Sequence, residues 1–369
     1  MTDEFYMKRA LQLAKRGERR VSPNPMVGAV IVKDDRIIGE GYHRRFGEAH
    51  GEINAINGAT ESVAGATIYV TLEPCSHYGK TPPCVESLIK VKPARVVIGA
   101  VDPNPLVAGR GIEALKRAGI KTTIGIMEGS CRAINERFFK FMTTGVPFAT
   151  LKFAQTIDGR IASVTGDSRW VSSPSSRKFV HLLRSTHDAI LVGAGTIIQD
   201  DPELTVRHVR GRNPIRIIVD SRLRIPLEAK VLKIQKSART IIATTEQADP
   251  AKRRLLKEQG IETLVIDVDG ERRVDLKKLL SELGKRQISS ILVEGGSAII
   301  TSMLKEMLID RLVIIVAPKI LGKGVDAVAD LGKRYIDEAI RLVYRKVYRK
   351  GEDIIIDGHL ASQSSFLPP

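Results

Sequence analysis

Cysteine is scarce, three residues in 369, which excludes the disulfide framework of small secreted domains. Aromatic residues are also few, 5% with a single tryptophan, leaving little material for the ring platforms on which single-stranded nucleic acids stack. No apolar run reaches the roughly 18 residues that cross a bilayer. The first residues, Met1 to Gly17, read as an amphipathic helix with neither an apolar secretion core nor a cleavage site, so a cytoplasmic protein is expected. The dinucleotide fingerprint G-x-G-x-x-G occurs nowhere that a strand would feed a helix. Repeats, low-complexity segments and a basic tail are missing as well.

What remains is an ordinary soluble composition, 43% hydrophobic and 27% charged, with a net charge of +16. The cations are spread along the chain instead of forming a block, which favours phosphorylated small molecules over a nucleic-acid polymer as partners. At 369 residues the chain suits two domains. Strand and helix signals alternate over the first part. Val27–Lys33 and Arg36–Gly41 read as strands joined by an Asp34-Asp35 turn, with further strands at Thr67–Leu72 and Arg95–Val101. Helices are expected from near His50, after Pro82-Pro83, over Gly109–Ala118 and over Ser130–Met142. The pattern breaks at Thr143–Pro147, which puts a domain boundary at 145/146. Strand signals then recur at Phe148–Gln155, Ala189–Val192, Ile215–Val219, Thr240–Ala243, Thr263–Ile266, Ser290–Val293 and Leu312–Val316, with helical stretches between several of them, the pattern of a largely parallel covered sheet. Two strand-like runs in Ala339–Leu360 are expected to be antiparallel edge strands.

Chemistry concentrates in His50-Gly51-Glu52, Pro74-Cys75 and Cys84. One histidine and two cysteines are three ligands of the kind zinc prefers, and a three-ligand set leaves a position open, as catalytic zinc requires. Cys75 follows a strand, and Cys84 falls in the first turn of a helix, where a thiolate is favoured. Glu52 stands two residues from His50, the spacing at which zinc deaminases keep a proton shuttle that is not a ligand. The short deaminase pattern has two residues between its cysteines. Here eight intervene, carrying His77 and Lys80, which are placed to reach an anionic substrate group. Cys131 reads as a half-buried helix residue. In the second part, Val192-Gly193-Ala194-Gly195-Thr196 and Leu292-Val293-Glu294-Gly295-Gly296-Ser297 are glycine-rich strand ends, the latter leading into a helix whose free N–H groups suit phosphate.

Ser22-Pro23-Asn24-Pro25, Val27-Gly28-Ala29-Val30, His50-Gly51-Glu52, the run Glu73 to Cys84 and Val101-Asp102-Pro103-Asn104-Pro105 together resemble the bifunctional deaminase/reductase family of bacterial riboflavin biosynthesis. Where this chain has Gly51 the family usually has alanine. The segments Leu151–Arg160, Val192–Pro202 and Leu292–Ser297 are similar to the reductase half of that family. The resemblance implies an α/β protein: a cytidine-deaminase-like three-layer domain over residues 1–145 and a dihydrofolate-reductase-like domain over 146–369. It implies zinc-dependent deamination of a phosphorylated diaminopyrimidine, followed by NADPH-dependent reduction of the ribosyl side chain to ribityl. His50, Cys75 and Cys84 would hold zinc, with Glu52 catalytic. Asn24, His43, His77, Lys80, Asp102 and Asn104 would surround the first substrate. Lys152, Ala154, Trp170, Thr196, Asp200 and the stretch Gly296, Ser297, Ala298, Ile299, Ile300, Thr301 and Ser302 would hold NADPH. Ser168, Arg184, Leu204, Arg207 and Glu294 would hold the sugar phosphate, the two arginines because a guanidinium fork matches phosphate oxygens. Trp170 has a plain alternative as a core residue. Expected partners are phosphorylated pyrimidines and other copies of the chain, with no nucleic acid and no membrane. The rival reading is an RNA- or nucleotide-editing deaminase with a purely structural C-terminal domain, which the charge of +16 permits but which leaves the second half unexplained.

Overall fold

A tight hairpin opens the first sheet. Strands β1 (Gly28–Lys33) and β2 (Arg36–Tyr42) are antiparallel. Asp34 and Asp35 between them both take positive φ, at 48° and 58°, the backbone of a two-residue turn whose twist matches its strands. The computed structural model describes residues 1–79, 82–105 and 107–361. They divide into two α/β units, Met1–Gly145 and a second that begins at Val146.

The first unit contains α1 (Asp3–Ala14), β1, β2, α2 (Gly51–Asn57), β3 (Thr67–Leu72), α3 (Cys84–Val91), β4 (Arg95–Ala100), α4 (Arg110–Arg117), β5 (Lys121–Ile124), α5 (Glu128–Ile134) and α6 (Glu136–Thr144). Its sheet runs β2-β1-β3-β4-β5. β1 is antiparallel to β3, while β3, β4 and β5 are parallel and connected through α3 and α4. Val30, Ile31, Ile68, Val97 and Ile98 are fully buried, because helices cover the sheet and shield its apolar β-branched strands.

The second unit contains β6 (Phe148–Thr156), β7 (Arg160–Ser163), α7 (Pro174–Thr186), β8 (Ala189–Gly193), α8 (Ala194–Asp200), β9 (Ile215–Val219), α9 (Lys230–Lys233), β10 (Thr240–Thr244), α10 (Pro250–Glu258) and β11 (Glu262–Val265). It continues with α11 (Leu276–Lys285), β12 (Ser290–Val293), α12 (Ser297–Lys305), β13 (Arg311–Ala317), β14 (Gly324–Asp326), β15 (Leu342–Lys350) and β16 (Asp353–Leu360). The main sheet runs β11-β10-β9-β8-β12-β6-β13-β16-β15, and β7 pairs with β14 in a separate ribbon. From β11 to β13 every pairing is parallel; β16 and β15 add antiparallel strands. Leu191, Ile217 and Ile241 belong to one core while Ile190, Ile218 and Ile242 belong to another. Alternate residues of each strand therefore feed opposite faces, and both faces are covered.

Two expectations are corrected. The helix expected over Ser130–Met142 is two helices, α5 and α6, that meet at Asn135. The Asn135 amide holds Met26, accepting from its N–H at 2.8 Å and donating to its carbonyl at 2.9 Å. A long-range bond to an extended segment has replaced continuity of the helix. Of the two strands expected at the sheet edge, only β15 is an edge; β16 lies between β15 and β13. Strands β5, β7 and β14 carried no recognised signal; β5 and β7 hold no fully buried residue and β14 is three residues long. Among the described residues no helix is long and apolar enough to cross a membrane.

Asn135→Ala leaves the amide and carbonyl of Met26 without these partners, which costs about 1–3 kcal/mol for groups removed from water. The variant is expected to unfold at lower urea concentration in the transition of the first unit; an unchanged midpoint would mean that water replaces the side chain freely.

Candidate active sites

Strand register explains why distant residues meet in the first unit. Gly28 stands opposite Tyr42, Ala29 opposite Val70, and Leu72 beside Ala100. The segments just before β1 and just after β2, β3 and β4 therefore leave the same end of the sheet. They carry Asn24; His43 and His50; Cys75; and Asp102 and Asn104.

His50 is the N-cap of α2 and Cys84 is the first residue of α3. His50 Nδ1 lies 3.5 Å from Cys75 Sγ and 3.3 Å from Cys84 Sγ, and the three ligand atoms lie within 4.8 Å of one another. Zinc–nitrogen and zinc–sulfur bonds of about 2.0 and 2.3 Å at tetrahedral angles set nitrogen and sulfur roughly 3.6 Å apart. The donor set therefore fits a tetrahedral ion without rearrangement. A hydrogen bond from Cys84, joined by that from the His50 ring, holds the Cys75 thiol below its usual range, and the same pairing raises that of Cys84. The backbone N–H of Cys84 also points at Cys75 Sγ, at 3.3 Å.

Glu52 sits in the first turn of α2 with 2% of its surface exposed, and its Oε2 has no hydrogen-bond partner. Burial pushes its carboxyl up to about 7, against the opposing pull of His50. A buried polar atom without a partner in a cluster of metal donors is the mark of a group reserved for a ligand. His43 is buried, its Nδ1 3.2 Å from the carbonyl of Ala49 and its Nε2 3.3 Å from the amide nitrogen of Asn24. Nδ1 thus donates and Nε2 accepts, and burial lowers the ring's pKa, which favours its neutral form. The ring stands edge-on to His50. Asp102 is buried; burial raises its carboxyl to about 7, and its Oδ1 accepts the N–H of Asn104 at 2.8 Å. His77 is exposed. Lys80 lies outside the described residues.

In the second unit Val293 of β12 pairs with Leu151 of β6, which sets Glu294 beside Lys152. The two are 3.8 Å apart. Arg184, from α7, grips Glu294 with Nε at 2.7 Å and Nη2 at 3.0 Å, while its Nη1 donates to the carbonyl of Thr205. Burial lowers the pKa of Lys152; burial also works to raise Glu294, but the Arg184 and Lys152 charges outweigh it and hold the carboxyl down. The fork of Arg184 is thus already filled by a carboxylate. Arg207 pairs with Glu203 at 2.6 Å, and its backbone N–H donates to Nδ1 of His181. Leu204 is buried with φ of +55°.

Gly296 caps α12 without a side-chain hydrogen bond, so the helix start offers N–H groups to an anion. Thr196 Oγ1 lies 3.9 Å from where a Cβ on Gly296 would be. This cradle of backbone and hydroxyl fits a phosphorylated cofactor such as NADPH. Ile299 and Ile300 are buried in the core, and the N–H of Ile300 is already donated to the carbonyl of Gly296. Thr301 Oγ1 accepts the N–H of Ala329. Asp200 ends α8, and its carbonyl accepts from Arg169. Trp170 is 61% exposed, which removes the core alternative; Arg177 covers its ring at 4.4 Å and Lys319 donates to its carbonyl. Ser168 and Ala154 are half-buried. Sequence reasoning assigned no role to Glu73 or His181. Glu73 stood inside a recognised motif but reads as a strand-end acid, and His181 carries no motif at all. Cys131 is fully buried against Gly99, deeper than expected.

Residues 147–356 match the family described as the RibD C-terminal domain, and residues 1–100 match the cytidine and deoxycytidylate deaminase zinc-binding region. The riboflavin biosynthesis protein RibD of Aquifex aeolicus is 45% identical over 355 residues, covering 96% of this chain and 97% of that protein. That of Escherichia coli is 40% identical over 370 residues, covering 96% and 99%. Among solved structures, form 1 of Acinetobacter baumannii RibD superposes with a TM-score of 0.88 at 39% identity, covering 97% of this chain and 99% of that one. The diaminohydroxyphosphoribosylaminopyrimidine deaminase/5-amino-6-(5-phosphoribosylamino)uracil reductase of Thermotoga maritima gives 0.84 at 37% identity, with the same coverage.

Cys75→Ser and Cys84→Ser are each expected to lose bound zinc during dialysis against a weak chelator that the unaltered protein withstands, whereas Cys131→Ser retains it. Metal analysis by plasma emission checks this; zinc retained by both ligand variants would place the ion elsewhere.

Proposed function

The chain belongs to the bifunctional deaminase/reductase family of riboflavin biosynthesis, and from that membership we infer how its two units divide the work. The protein is an enzyme with deaminase and reductase activities and uses zinc and NADPH. It deaminates 2,5-diamino-6-ribosylamino-4(3H)-pyrimidinone 5′-phosphate and then reduces the ribosyl side chain to ribityl. In our proposal residues 1–145 carry the deamination and the unit beginning at Val146 the reduction. The observation that supports the first assignment most directly is that the ligand atoms of His50, Cys75 and Cys84 lie within 4.8 Å of one another while buried Glu52, close enough to feel the His50 and Cys75 charges, keeps Oε2 without a partner.

His50, Cys75 and Cys84 would hold the zinc, which would lower the pKa of a water so that hydroxide is available to attack a ring carbon at neutral pH. Glu52 takes the proton of the attacking water and returns it to the departing amino group, so that ammonia leaves. Among the protein groups alone, burial pushes its carboxyl up to about 7 against the opposing pull of His50. Asn24, with His43 behind it, and Asp102 and Asn104 orient the ring. We assign Lys80 and His77, both in the insertion between the two cysteines, to an anionic group of the substrate.

In the second unit the Gly296–Ser302 helix start, with Thr196, Asp200, Trp170 and Ala154, would hold NADPH, which would supply the hydride. Lys152 and Glu294 face the reacting sugar. Arg184 holds Glu294 in place through its filled fork, and Arg207, with Ser168 and Leu204, receives the phosphate. Partners are small phosphorylated pyrimidines and not a nucleic acid; a complete reductase domain leaves the editing alternative without support. A cytoplasmic location accords with three cysteines that are all free. Among the described residues no strand pairs with the outer side of β15, and its Val343 and Val347 are exposed, which supports a homo-oligomer.

Glu52→Gln keeps the shape of the side chain but cannot shuttle a proton. Ammonia release is expected to fall by about 100-fold or more, with zinc content and NADPH oxidation on the deaminated intermediate unchanged. Near-normal deamination would remove Glu52 from the mechanism.

A further inference from the structure

Glu73 follows β3, two residues before the ligand Cys75, and is 3% exposed. Among the described residues no lysine or arginine pairs with it. Its carboxylate is surrounded by backbone instead. Oε2 accepts the N–H of Asp102 at 3.2 Å and of Gly109 at 3.0 Å; Oε1 accepts those of Gly111 at 3.0 Å and Ile112 at 3.3 Å. The last two belong to the first turn of α4, where the helix dipole favours a negative charge. Both oxygens are thus filled and turned towards the chain, which excludes a proton-transfer role. A Cβ at Gly111 would run into the carbonyl of Pro74 and lie 3.2 Å from Glu73 Oε1, so a glycine at 111 is what lets the backbone come this close.

These four bonds tie down both ends of the turn after β4. Asp102 is one anchor, and Asn104 is tied to Asp102 Oδ1 through its own N–H. At its other end Glu73 is fixed to the sheet by its N–H on the carbonyl of Ala100. One carboxylate therefore links the segment bearing Cys75 to the segment bearing Asp102 and Asn104. We propose that Glu73 is a positioning residue of the deaminase, setting the backbone that presents Asp102 and Asn104 to the pyrimidine at a fixed place relative to the metal ligands. The inference rests on the reading of Asp102 and Asn104 as substrate-binding groups.

The test is Glu73→Gln, with Asn104→Ala as its control. A glutamine matches the shape, but its NH2 faces two N–H donors and cannot accept from them. The variant is expected to raise the deaminase KM about tenfold or more while kcat changes by less than about threefold. Zinc content and reductase activity stay as in the unaltered enzyme, and hydrogen exchange quickens at Asp102, Gly109, Gly111 and Ile112 alone. Unchanged KM in Glu73→Gln, with KM raised in Asn104→Ala, overturns the inference and leaves the site reading intact. Unchanged KM in Asn104→Ala overturns that reading itself. Should Glu73→Gln not fold, exchange in the unaltered enzyme decides: protected amides at Asp102 and Gly109 support the inference, and exchange at free-peptide rates overturns it.

Discussion

A carboxylate taken out of water is the constraint on which the first unit depends. Desolvating an ionised carboxyl is costly unless a cation or hydrogen bonds replace the lost hydration. Glu52 has 2% of its surface exposed and one oxygen with no partner, and its carboxyl responds by titrating at about 7. The environment makes sense only around a ligand. The antiparallel hairpin, the parallel β3–β4 pair and the starts of α2 and α3 all deliver their functional residues to the one end of the sheet where that carboxyl sits.

The second unit buries a glutamate too and solves the problem in the opposite way. Glu294 is held by the fork of Arg184 and faced by Lys152, and its carboxyl is held down instead of up. Losing one partner of such a cluster would strand the other charges, at a cost of about 3–5 kcal/mol. Two glutamates of one chain thus have two protonation behaviours, set by whether protein cations meet them. Burial pushes the Glu52 carboxyl up; Arg184 and Lys152 hold that of Glu294 down.

Much of this was legible in the sequence because it is local. His50 and Glu52 share one turn, Pro82-Pro83 stand just before the helix that opens at Cys84, and the apolar β-branched runs mark nearly every parallel strand. The glycines of Gly295-Gly296 announced a backbone-lined helix start. What was not legible depends on pairings distant in the chain. The break at Asn135 is made by a bond to Met26, and the anchoring of four amides by Glu73 appears only when β3 and β4 lie side by side. The filled fork of Arg184 was hidden for the same reason: its partner is 110 residues away. Short strands with few buried side chains, such as β5 and β7, gave no periodic signal because they have no buried face to encode.

The central claim is that one chain holds two separate reaction centres, one needing zinc and one not. Stripping the enzyme of metal and supplying it with either the diamino substrate or the deaminated intermediate tests this directly. Ammonia release should vanish and return on adding zinc, while NADPH oxidation on the deaminated intermediate continues at its original rate. Loss of both activities together, with the circular dichroism spectrum unchanged, would contradict the account.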